Sequence, residues 1–265
     1  MKKTLQIANS IAFVLMLIVN YLSNTGFFNH QTIAEVSRQN QSLITPAGYT
    51  FAIWGVIYLL LAGFVIYQSR SLIYPNAKDD FVLKVGGWFV LSCLANIGWI
   101  VTWLYGYTLI SVIVMLILLY SLIQIIIHNQ MELYDAPLSV IAFLWWPFVV
   151  YTGWITVATI VNIAAYLVKI NWGGWGVQPE VWTIIMILAA VLINTMAIRT
   201  RNLREFATVG VWSLIGIAVA NWGTNLSIQY TAIGSAIVLF ILISLQAYRN
   251  FDTNPVTKLW NGEIR

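Results

Sequence analysis

Long apolar runs without a charged residue recur along almost the whole of this 265-residue chain. A membrane-spanning helix needs roughly 20 mostly apolar residues to cross a hydrocarbon core about 30 Å thick. Eight runs are read as spans: 5–22, 49–67, 86–105, 109–127, 138–168, 181–198, 206–222 and 228–248. Backbone polar groups in lipid must be satisfied inside the protein, which leaves helices and closed barrels. Runs this continuous lack the two-residue alternation of a barrel strand. The expected fold is therefore all-α, a polytopic integral membrane bundle of about eight helices.

Composition agrees. Hydrophobic residues make up 60% of the chain and charged residues 8%, against about 25% charged in an ordinary soluble domain. Every Asp, Glu, Lys and Arg falls in a loop, a terminus or the end of a predicted helix. Short cytoplasmic loops collect Lys and Arg. With eight spans and a cytoplasmic N-terminus, that side receives Lys2, Lys3, Arg70, Lys78, Lys84, Arg199, Arg201, Arg204, Arg249, Lys258 and Arg265, leaving only Arg38 and Lys169 outside. Both termini are expected in the cytoplasm, and the cell membrane is the expected location. The positive residues are scattered over juxtamembrane loops, which suits membrane lipids as partners and not nucleic acid.

Three local features refine the outline. The N-terminal run starts with Lys2 and Lys3 like a signal peptide but offers no convincing small-residue cleavage site, so it is read as a retained helix. The run 138–168 is longer than a bilayer requires and must tilt, protrude or bend near Pro147, which lacks a backbone donor. The tight turn near Gly106 makes the third and fourth helices an antiparallel hairpin.

The absence of ionisable groups inside the spans also limits function. Buried acids and bases mark proton paths, and none is expected here. His30 and His128 fall on opposite predicted faces and cannot share a metal site. Cys93 is the single cysteine, which excludes an intrachain disulfide. What remains inside the bilayer is amide and aromatic chemistry: Asn96, Asn162, Asn194, Asn221 and Asn225, with Trp54, Trp99, Trp103, Trp154 and many tyrosines. Such groups line cavities for flat apolar ligands; amides also hold helices together.

Three segments carry a family resemblance. Residues 151–162, YTGWITVATIVN, resemble the PYxxWxxxATxLN pattern of the TspO/MBR family, the tryptophan-rich sensory or translocator proteins, with Val150 in place of its proline. Ala95, Asn96 and Trp99 resemble its LNxxW, followed by Trp103, Tyr105 and Gly106. Residues 46–58 are similar to PPxWVFxPVWTxLY when Trp54 and Tyr58 are matched, which leaves Tyr49 and Phe51 shifted by one residue. One residue turns a helical side chain by about 100°, so either the turn absorbs the shift or the upstream aromatics serve another role.

The resemblance covers about residues 1–170. It implies a TspO-like five-helix domain there, followed by three additional helices over 171–248 and a cytoplasmic tail at 249–265. The ligand pocket it implies lies beneath the first long loop and is lined by Trp54, Tyr58, Asn96, Trp99, Tyr151, Trp154, Ala158 and Asn162. The ligand it implies is a porphyrin or haem-like tetrapyrrole, or a sterol-like molecule, with no cofactor required. Some members of the family are dimers, and a homodimer is an allowed arrangement, though no residue marks its interface. The expected protein is a receptor or carrier and not an enzyme. Two other classes stay open: a transporter of a small neutral or lipid-like solute, and a membrane enzyme that degrades porphyrin.

Overall fold

The structure, a computed structural model, describes residues 1–74, 79–251 and 253–260. Lys78 and Arg265, two of the basic residues used to orient the chain, lie outside the described residues. Among the described residues the chain is all-helical, and each of the eight predicted runs is a helix.

In order, the eight are Lys2–Leu22, Gly48–Leu72, Trp88–Leu104, Thr108–His128, Leu138–Lys169, Pro179–Arg201, Arg204–Ala220 and Leu226–Arg249. They are called the first to eighth helices below. Six are long and apolar enough to cross a membrane, whereas the third and seventh have 17 residues each. Their ends explain the shortfall. Gly86, at φ 55°, separates the third helix from the short helix Phe81–Val85. The seventh is bounded by Asn202, whose φ of 57° closes the sixth helix, and by the turn at Gly223, φ 69°. Asn and Gly are the residues that enter this left-handed region at least cost.

The fifth helix organises the bundle, packing on the second, fourth and seventh, while the first lies on the second and third. After an α-helical turn at Leu138–Val140 it has a π-helical segment, Ile141–Trp145, immediately before the α-helix Trp146–Lys169. Pro147 therefore sits in the first turn of a regular helix, where its missing N–H breaks no ladder. Farther along, Thr152, Thr156 and Thr159 donate to the carbonyls of Phe148, Thr152 and Ile155 at 2.6–2.9 Å. The hydroxyls are thus satisfied within their own helix.

The sixth to eighth helices join the first five through close backbone approaches. A Cβ on Gly153 would lie 2.9 Å from the Phe206 carbonyl oxygen, and one on Gly216 would lie 2.2 Å from Thr50 Cγ2. The Ala47 amide donates to the Gly216 carbonyl at 3.0 Å, and the Trp212 indole to the Thr50 carbonyl at 3.1 Å. Small residues make such helix contacts possible inside a membrane.

At the end carrying both termini, ionisable groups keep to loops and helix ends yet several are buried. Asp79 is enclosed and accepts from Arg70 Nε at 2.7 Å. Lys258 pairs with Asp135 and also donates to the Ala136 carbonyl. Glu132 accepts from Asn202 at 3.2 Å, and Asn202 in turn accepts from Asn250 at 2.9 Å. This chain of bonds ties the loop before the fifth helix to the turn after the sixth and the end of the eighth. Burial, aided by repulsion from Glu205, pushes the Glu132 carboxyl up to about 8.

Candidate ligand site

The second, third and fifth helices converge on a cavity that opens beneath the short helix Ile33–Gln39. That helix starts with a capping box: Thr32 Oγ1 accepts from the Glu35 amide at 3.3 Å, and Glu35 Oε2 accepts from the Thr32 amide at 2.7 Å. The same bonds hold the Glu35 carboxyl below its ordinary range. Asn29 donates to the Leu104 carbonyl at 3.0 Å and Trp103 Nε1 to the Ile33 carbonyl at 3.4 Å, seating the roof on the third helix.

Aromatic rings form the walls. Trp154 meets Trp54 edge-on at 6.2 Å and Phe51 at 5.8 Å, while Trp99 and Trp103 stack at 6.2 Å. Edge-to-face and offset arrangements at these separations are the favourable ones for quadrupolar rings. No residue lining the cavity is charged. The indole nitrogens of Trp99 and Trp154 are buried and have no acceptor among the described residues. A buried donor left unmatched costs about 1–3 kcal/mol.

The structure divides the eight candidate residues into two sets. Trp54, Trp99, Trp154, Ala158 and Asn162 line the cavity. Asn96, Tyr151 and Tyr58 stand behind it in a hydrogen-bonded chain: Asn96 Nδ2 donates to the Tyr151 hydroxyl at 3.0 Å, Asn20 Nδ2 to Asn96 Oδ1 at 2.8 Å, and the Tyr58 hydroxyl to Asn20 Oδ1. Tyr58 and Tyr151 still touch the site through Trp54, with ring centres 5.5 and 5.9 Å away. Asn162 is also engaged, exchanging hydrogen bonds with Ser111 of the fourth helix.

The one-residue shift near Tyr49 resolves in both of the ways allowed by the sequence. Gly48–Ala52 is a 3₁₀ turn, which advances side chains by about 120° per residue and not 100°. Phe51 reaches the cavity, while Tyr49 packs edge-on against Trp212 of the seventh helix at 5.3 Å. Ile33 and Ser37 line the cavity from its roof and were not among the sequence candidates. Their signal was the Thr32 to Glu35 spacing, since a threonine three residues before a glutamate announces a helix start.

As it stands the cavity is narrow, with a volume of about 40 Å³. That holds a water molecule or two, whereas drug-sized ligands occupy about 300–1,000 Å³. A larger guest therefore requires the roof to lift or the indoles to turn.

An all-helical bundle with at least six helices able to cross a bilayer, an aromatic interior and its charges at the helix ends defines a polytopic integral membrane protein. A family model for TSPO-like proteins matches residues 6–245, and the chain belongs to that family. The match runs through the last three helices, beyond the five-helix motifs at residues 46–58, 95–106 and 151–162. Comparisons with curated proteins and with solved structures gave no match.

Proposed function

We propose that this TSPO-like protein is a membrane receptor or carrier for a planar hydrophobic ligand of the porphyrin or tetrapyrrole class, held between the second, third and fifth helices. The observation that carries this reading is the pair of unmatched indole donors, Trp99 and Trp154, on the walls of an uncharged aromatic cavity. A flat ring system with peripheral acceptors stacks on such walls and satisfies both N–H groups. Binding proceeds with displacement of the roof formed by Ile33–Gln39, because a volume of about 40 Å³ excludes a tetrapyrrole. The role is binding without turnover: among the described residues the cavity walls supply rings, one amide, one hydroxyl and no ionisable side chain.

Titration of the purified protein with protoporphyrin, followed by tryptophan fluorescence, tests the reading. Wild type should quench saturably, Trp154→Ala should bind at least tenfold more weakly, and Trp99→Phe, which keeps a ring but loses the N–H, should fall between them. Equal weak quenching in all three proteins would remove the site.

A further inference from the structure

We infer a second ligand site, distinct from the aromatic cavity, where the sixth and seventh helices meet the upper end of the fifth. A cavity of about 670 Å³ opens there, at the end opposite the termini, and it shares no lining residue with the aromatic cavity. Its volume lies within the range of small-molecule sites. The ligand class it takes is an uncharged amphipathic ring compound bearing a hydroxyl or N–H group.

The lining sets that class. None of the lining residues is charged, and the walls alternate apolar surface, such as Ala164 and Met186, with amides, hydroxyls and two indoles. An ionic ligand entering a partly desolvated space would find no counter-charge. A ring compound finds Trp172 and Trp182, whose ring centres are 5.3 Å apart. Trp182 is fixed by donating its indole N–H to the Gly174 carbonyl at 2.9 Å.

Hydrogen bonding sets the polar group. Asn221 is 4% exposed. Its amide NH₂ donates to the Leu43 and Ile217 carbonyls, both at 2.9 Å. Its side-chain oxygen accepts no hydrogen bond among the described residues, and Asn221 is buried whereas the lining amides Gln41 and Asn171 are exposed. A hydroxyl or N–H on the ligand is the complement to that acceptor.

The wall between the fifth and sixth helices is held in an unusual shape. Asn171, Gly174, Trp175 and Gly176 have φ of 51°, 62°, 53° and 81°. For a bulky residue such as Trp175 that conformation is strained. Trp172, in the same loop, packs against Trp182.

The test uses the full-length protein in nanodiscs, titrated calorimetrically with 2-naphthol, naphthalene and 2-naphthoate against empty nanodiscs. Saturable binding is expected for 2-naphthol, about fivefold weaker for naphthalene, which lacks the hydroxyl, and undetectable for the anion 2-naphthoate. Met186→Trp, which fills the cavity, should abolish 2-naphthol binding while leaving protoporphyrin quenching unchanged. Asn221→Leu should remove the preference for 2-naphthol over naphthalene. Binding no greater than to empty nanodiscs, equal affinity for all three probes, or a Met186→Trp protein that binds like wild type would overturn the assignment.

Discussion

The five-helix portion and the three helices that follow it solve the same packing problem with different materials. In the first, large rings interlock: Phe64 meets Phe89 and Phe148 at 5.1 and 4.7 Å, and Trp145, Tyr151 and Phe148 are all but fully buried. In the second, Ala218, Ala232 and Ala236 let backbones approach, and Ser213 and Ser235 are buried among them. Of the most apolar stretch in the fifth helix 67% is buried, against 22% in the sixth. Lipid tails are as apolar as leucine, so burial alone gives little drive to associate in a bilayer. The rings make a rigid interior by shape, whereas the later helices depend on a few close contacts that a single methyl group disturbs.

The largest expected effect probes the bond chain that latches the two portions together. An unfolded chain loses the Glu132 proton near 4.5, while the folded protein holds it to about 8. The folded state binds more protons across that window, so stability falls as pH rises through it and is level above. The total is on the order of 2–4 kcal/mol. Glu132→Gln should flatten the profile of melting temperature between pH 5 and 9, and an unchanged slope would place the titration elsewhere.

Next comes the ring cluster. Phe148→Ala leaves a void of roughly 100 Å³, which costs about 2.4 kcal/mol at 24 cal/mol per Å³. A reversible unfolding titration in mixed micelles should register that loss. A similarly large loss for Leu239→Ala, buried in the later cluster, would break the contrast between the two interiors.

Gly153→Ala should cost about 1–3 kcal/mol, because the obstructing atoms belong to the backbone of the seventh helix and cannot rotate away. Protease accessibility of the 202–206 turn should rise while the five-helix portion stays resistant. Uniform loss of resistance along the chain would show one cooperative unit in place of two.

The smallest effect separates two buried asparagines. Asn96 is bonded on both sides to Asn20 and Tyr151, whereas the side-chain oxygen of Asn194 has no partner among the described residues. Asn96→Leu should destabilise by about 1 kcal/mol and Asn194→Leu by less than half of that. Reversed values in the same unfolding assay would make the later helices the ones held by amides.

The helices were legible because the bilayer writes a coarse signal: long uncharged runs, the turn at Gly106 and charges at the ends. The cavity was legible in its trytophan and alanine positions, where Trp54, Trp99, Trp154 and Ala158 follow helical spacing within recognisable motifs. The roof was not, since seven residues from Ile33 to Gln39 are too few to display a period, and only the capping pair at Thr32 and Glu35 betrayed them. Nor could spacing reveal that Asn96 and Tyr58 would meet at Asn20 of the first helix, a partner 76 residues away from Asn96. Side-chain direction at Phe51 depended on a change of helix type that the sequence leaves unmarked.

The third and seventh helices have 17 residues each, about 25 Å of rise, beside neighbours long enough for the full hydrocarbon thickness. A protein with spans of two lengths imposes a profile on the lipid around it. The bilayer thins beside the short helices, or the polar residues at their ends stretch to the interface, and each ångström of mismatch has a small cost. Membrane thickness thereby acts on this fold as a mechanical variable, with a thinner bilayer favouring the arrangement in which both short helices reach across.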